Sequence, residues 1–309
     1  MFKRNYFQNR SAWAYRGAAT ASILAFAGYY LPHTLFLSKY KEFMTCYREG
    51  FEPQLPDKIM RRFDTACSLT KMKEKELKLI KPFCTFGLDL FHAGTTKSHF
   101  GAVVGIPINY FYSNEAEIER PSIKLKTESI KWGSQEGELL ANSIVLTEDE
   151  QIYGIAHSIL MTHSHQRMLN GLYASGSIIG TYTLGHFLNQ RMQLLSRPFL
   201  LRGILYAILG LFGFGLWALL KDATHVYYEG LADDTLGDLG PEVADSGVRF
   251  YEKIMGKNKA LRGLTKTNTY STEGDICYLI RTKTFPYTAR KALLQDKLKE
   301  YRDKEEKEN

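Results

Sequence analysis

The sequence predicts an α+β membrane protein: an N-terminal anchor helix, a small, largely antiparallel sheet with helices, and a transmembrane helical hairpin inserted between two core helices. Three observations carry this. Uncharged apolar runs occupy residues 17–37, 172–188 and 203–220. Between the first and second, the periodicity shifts from helical toward alternating. The last two runs lie between segments that carry strong helix signals of their own. With 309 residues, 44% hydrophobic and net charge +7, the chain holds enough apolar material for one sizeable core or two small ones, which excludes disorder. A mean hydropathy of -0.26 requires large water-facing parts beside the apolar runs.

Residues 1–16 form a basic segment, with Lys3, Arg4, Arg10 and Arg16, and no acidic residue occurs before Glu42. That composition suits a mitochondrial import signal, and a bacterial signal-anchor would look similar. Residues 17–37 are long enough to cross a bilayer, with Pro32 and His33 toward the far end, and are read as a retained anchor. Residues 38–171 are expected to be a soluble α+β part. Its first half, to about Lys81, recurs at helical spacing in Met60, Phe63, Cys67 and Leu69, with Pro53, Pro56 and Pro82 marking loops and ends. From Phe83 the period approaches two. Strands are expected at 101–107, 108–112, 123–132 and 139–146, with the clearest alternation in Ile123-Lys124-Leu125-Lys126.

Thr147-Glu148-Asp149-Glu150 is a capping box, with acidic charge at the positive end of the helix that it starts. Ile152, Ile155, Ala156, Ile159 and Leu160 then place an apolar stripe along that helix. The hairpin spans 172–220. Its first arm, 172–188, carries Gly176, Gly180 and Gly185 and so suits close helix packing. Its second, 203–220, has Trp217 near one end, an interfacial aromatic. Between the arms lie Arg191, Arg197 and Arg202 and no acid, so residues 1–16 and 189–202 belong on the same, matrix or cytoplasmic, side. Residues 38–171 and 221–309 then meet on the other side, the C-terminal helical part completing the soluble domain.

Glu229-Gly230-Leu231-Ala232-Asp233 puts two carboxylates at i and i+4 on one helix face. Together with His157-Ser158-Ile159-Leu160-Met161 this order resembles the membrane-embedded zinc metallopeptidases, which carry HExxH on one helix, a hydrophobic hairpin, and ExxAD on the next. The second half fits at Glu229 and Asp233. In the first half Ser158 replaces the general base and Met161 the second imidazole, although zinc hydrolysis needs both. A thioether is a poor zinc ligand and an ordinary hydroxyl is no base. The expectation is a degenerate, non-catalytic site of His157, Ser158, Met161, Glu229 and Asp233, with no catalytic residue, metal or cofactor.

Further blocks carry a second likeness: Gly101 to Pro107, Phe250 to Gly256 with Asn258 to Arg262, and Pro286 to Arg290. In this order they resemble the transmembrane protein 177 family over nearly the whole chain. The resemblance implies a multi-pass protein of the mitochondrial inner membrane that assists early maturation of cytochrome c oxidase subunit 2 and stabilises that subunit's membrane chaperone. Subunit 2, its early assembly chaperone and the lipid bilayer are therefore the expected partners. The N-terminus is expected in the matrix and the soluble part in the intermembrane space. The competing reading is a membrane zinc peptidase with an unusual ligand set drawn from His157, Glu229 and His225.

Phe250, Tyr251, Lys253, Arg262, Pro286 and Tyr287 are candidates for a partner-binding surface, set against a plain helix with a solvated basic side. His163 is expected to be a hydrogen-bonded core residue. Cys46, Cys67, Cys84 and Cys277 form no CxxC pair and read as small buried hydrophobes, with pairing among the first three left open. The basic balance accompanies no nucleic-acid motif.

Overall fold

The computed structural model describes residues 2–308 apart from Glu49, Ser122, Lys126 and Thr127. Lys126 of the predicted alternation therefore lies outside the described residues, as do the side chains of Lys3, Arg4 and Arg10. About 66% of the chain is helical, beside a small mixed sheet, which makes it α+β. It forms two compact units: residues up to His33 with His165–Thr224, and Thr34–Ser164 with His225–Asn309.

The first unit holds helix α1 (Phe2–Tyr30), helix α7 (Gln166–Arg191) and the first part of helix α8 (Phe199–Gly237). α1 lies on α7 where Phe26 covers Gly171, a site at which an added Cβ would come within 2.9 Å of the Phe26 ring. α7 meets α8 where the Ser177 hydroxyl donates to the Gly213 carbonyl. Among the described residues, α8 is the one helix long and apolar enough to cross a membrane. Leu211, Phe212 and Leu219 stand exposed along it, so its apolar surface is not spent on packing within the chain.

The second unit begins with α2 (Leu37–Met44), α3 (Asp57–Leu69) and α4 (Glu74–Leu77) and continues with β1 (Ile80–Thr85), β2 (Phe91–Thr95) and β3 (Gly101–Pro107). The spatial order is β1-β3-β2. β3 runs antiparallel to β2, with Phe91 opposite Gly105, and parallel to β1, with Phe83 opposite the same residue. The sheet is thus mixed where a largely antiparallel one was expected. The reason is in β3, whose seven residues are all buried: a strand covered on both faces reads as a continuous apolar run and does not disclose the direction of its partners.

Three of the expected strands are different. Residues 108–111 form a 3-10 turn after Pro107. Residues 123–132 shrink to a two-residue hairpin, β4 (Lys124–Leu125) and β5 (Glu128–Ser129). Residues 139–146 lie mostly in helix α5 (Gln135–Ile144), which Ser134 caps by accepting from the Gly137 N–H at 3.1 Å. A short apolar run fits a strand or a buried helix equally well, and here Leu140, Ala141 and Ile144 are buried on a helix that packs against α9.

Helix α6 (Glu148–Thr162) starts at the predicted capping box. The Glu150 carboxylate accepts from the Thr147 N–H at 2.8 Å, and the Thr147 hydroxyl accepts from the Glu150 N–H at 3.4 Å. Helix α9 (Pro241–Thr265) crosses it closely. Gly154 makes this possible, because a Cβ there would meet the Phe250 ring at 2.7 Å. Helix α10 (Tyr287–Glu308) closes the core, with Leu294 fully buried beside Tyr153, Ile155, Ile159, Leu236 and Tyr251.

Candidate functional site

Four helices of the second unit bring their polar residues to one buried point. α6 supplies His157, α8 supplies Glu229 and Asp233, α9 supplies Tyr251 and α10 supplies Arg290. The start of α10 is fixed from outside the helix: Asp275 accepts from the Thr288 N–H at 3.0 Å and from its hydroxyl at 2.6 Å, acting as a borrowed cap. Arg290 then falls in the first turn, in step with Tyr287 and Leu294, and is carried into the core.

The guanidinium of Arg290 occupies the centre of the cluster. Its Nε donates to Asp233 Oδ2 at 2.6 Å and one Nη to Oδ1 at 3.2 Å, a two-point fork on the carboxylate. The same Nη donates to His157 Nε2, and the other Nη lies 3.5 Å from Glu229 Oε1. Its carbon sits 4.6 Å from the centre of the Tyr251 ring, whose face covers the cation. Asp233 Oδ1 also accepts from the hydroxyls of Tyr153 at 2.8 Å and Tyr251 at 2.6 Å. Glu229 Oε2 accepts from the Phe285 N–H at 2.7 Å, and His225 Nε2 stands 3.5 Å from Oε1.

Charge follows this wiring. Burial, and then the Arg290 charge, lower His157 to about 4, so its Nε2 carries a lone pair for the guanidinium. Burial alone would push Asp233 up, but Arg290, His157 and the Tyr251 hydroxyl together hold it below the usual carboxylate range. Glu229 is raised, because burial outweighs Arg290 and the Phe285 N–H. Burial pushes the phenols of Tyr153 and Tyr251 up, so both remain donors.

A zinc ion does not fit this donor set. The lone pairs that it would need on His157, Asp233 and Glu229 are directed at Arg290, the two tyrosines and the Phe285 amide, and a resident cation already balances the carboxylates. Among the described residues no group of three His, Cys, Asp or Glu is placed to hold a metal. Ser158 lines a cleft of about 160 Å³ beside the cluster, together with His157, Glu229 and Arg290, while Met161 is buried.

His157, Ser158, Glu229 and Asp233 stand near one another, and Arg290, Tyr153 and Tyr251, whose pairing the sequence reading missed, complete the cluster. The signal for Arg290 was its register: a cation at i+3 from Tyr287 and four before Leu294, on the apolar stripe of its helix. Two of the expected partner-binding residues, Phe250 and Tyr251, are buried in the core and reach only the wall of the cleft, not an outer surface. Tyr287 lines the cleft, and Lys253 donates to the Asn142 carbonyl and amide oxygens at 2.8 and 3.0 Å. Arg262 and Pro286 are half-buried. His163 is a half-buried cap residue at the end of α6, bonded through Nδ1 to Thr96 and through Nε2 to Lys97, and not a core residue.

No protein-family model matches the chain, and no solved structure is similar to it. Curated relatives do match. Transmembrane protein 177 of Xenopus laevis is 26% identical over 297 residues, covering 92% of this chain and 94% of the relative. Transmembrane protein 177 of Homo sapiens is 29% identical over 216 residues, covering 68% and 69%, and that of Danio rerio is 26% identical over 272 residues, covering 84% and 86%. Relatives bearing one name thus agree with the chain over most of its length, which makes it similar to the transmembrane protein 177 family, and its helix α8 is long and apolar enough to cross a bilayer.

Proposed function

We propose that this chain is a non-catalytic assembly factor of the mitochondrial inner membrane, which stabilises newly made cytochrome c oxidase subunit 2 and its membrane chaperone. The observation that carries the non-catalytic half is the position of Arg290: a built-in cation satisfies the residues that a peptidase would devote to zinc and water. Ser158 and Met161 support the same reading, because no carboxylate base or second imidazole is present at those positions. The choice of client rests on the family likeness. On this reading residues 17–37, 172–188 and 203–220 cross the bilayer. The basic segments 1–16 and 189–202 then face the matrix, and the second unit faces the intermembrane space.

The test is capture of the tagged full-length chain from mitochondria after pulse-labelling of their own translation products. Labelled subunit 2 and its chaperone are expected in the eluate, and both should turn over faster when the chain is absent. A His157→Gln chain should restore them fully, because no chemistry is assigned to that imidazole. Failure to recover subunit 2, or rescue that depends on His157 in a folded variant, would remove this reading and return attention to peptidase chemistry.

A further inference from the structure

We propose that the loop from Tyr278 to Thr284 is a membrane-contacting tip that inserts Leu279 and Ile280 into the interface of a bilayer containing anionic lipid. These two side chains are 98% and 90% exposed, the most exposed large hydrophobics among the described residues. Scattered exposed apolar residues are ordinary, but two adjacent aliphatic side chains at a loop apex are in effect fully hydrated. The loop is built and not frayed. The hydroxyls of Tyr278 and Thr284 close its neck at 2.9 Å, and Lys283 lies 5.6 Å above the centre of the Tyr278 ring. Below the neck, the Cys277 N–H donates to the Thr269 carbonyl at 2.8 Å. Phe285, the next residue after the loop, packs against Gly230 of α8 and gives its N–H to Glu229. The apex is thus presented from a fixed base.

Charge selects the occupant. The half-buried Arg281 and, after Thr282, the exposed Lys283 follow the aliphatic pair, and no acidic residue occurs between Asp275 and Asp296. An aliphatic apex backed by cations suits the boundary between acyl chains and anionic headgroups, where apolar burial and headgroup attraction add. It does not suit an acidic aqueous surface, which would leave the apex wet. The same chain carries an apolar membrane-length helix, so a bilayer is the apolar phase to which the loop is tethered through its own chain.

The test places a nitroxide label at Leu279→Cys, in a Cys277→Ser background, in the full-length chain reconstituted in nanodiscs containing anionic phospholipid. Because the side chain is almost wholly exposed, the substitution removes no packing. The expected result is a several-fold higher ratio of collisions with oxygen, which partitions into acyl chains, to collisions with a water-soluble nickel chelate, relative to a label at the exposed Thr272→Cys. Arg281→Glu with Lys283→Glu should abolish that rise, as should nanodiscs of neutral lipid alone if charge sets the contact. A ratio equal to the Thr272 control in anionic nanodiscs overturns the proposal. So does shielding from both reagents, which would mean that protein covers the tip.

Discussion

Asp233 accepts four hydrogen bonds, from Arg290 twice and from Tyr153 and Tyr251, and all of these groups are buried. A buried pair of this kind adds little over an apolar substitute, yet removing one partner strands the other's charge at a cost of ~3–5 kcal/mol. Arg290→Met and Asp233→Asn should each cost that much, and the double variant should cost far less than their sum. Thermal or denaturant unfolding of the four forms in detergent reads the coupling directly, and simple additivity would contradict the pairing. His157 adds a pH dependence. Its pKa falls from the ordinary 6.5 to about 4 in the folded chain, so between those values the unfolded chain binds a proton that the folded chain refuses. Stability present above pH 6.5 is therefore lost as pH falls toward 4, by about 3 kcal/mol for this group. Glu229, held above its ordinary range, works in the opposite sense. His157→Gln should flatten the acid limb, and unfolding curves at pH 7 and pH 5 compare the two chains.

Helix α6 shows how much of an element is written locally. The Thr147/Glu150 box predicted its start, which is observed. Of the stripe, Ile155, Ala156 and Ile159 are buried and Ile152 and Leu160 half-buried. Gln151, Tyr153, Ser158 and Met161 off the stripe are buried as well, so the helix is enclosed on more than one side. Thr147→Ala should cost ~1 kcal/mol, read as a lower unfolding midpoint with unchanged slope. The segment 139–146 shows the limit. Its apolar residues are consistent with strand or helix, and the decision comes from packing on α9, a partner more than a hundred residues away. Arg290 escaped notice for a related reason. Its charge placed it with the solvated tail in a reading by composition, whereas its register with Tyr287 and Leu294 determines where the helix takes it.

At the scale of the whole molecule, the apolar helix that contains residues 203–220 was legible, because bilayer thickness and helical rise fix the length of such a run. The mixed sheet was not, since strand direction depends on contacts between segments that sequence spacing does not encode. The proposed topology has a direct readout in Cys277, which is exposed on the second unit. A membrane-impermeant maleimide should modify Cys277 in mitochondria whose outer membrane has been opened, and Cys277→Ser should remove most of the signal. Burial pushes the Cys84 thiol up to about 12 and the Cys67 thiol up to about 11, so neither should react before the membrane is dissolved and the chain unfolded. Modification of Cys277 only after the inner membrane is permeabilised would reverse the orientation. Arg290 holds the place where a peptidase would hold zinc. Elemental analysis of the purified full-length chain measures this most directly, and well under one zinc per chain is the result expected. Stoichiometric zinc, lost together in His157→Ala and Glu229→Ala, would contradict the account.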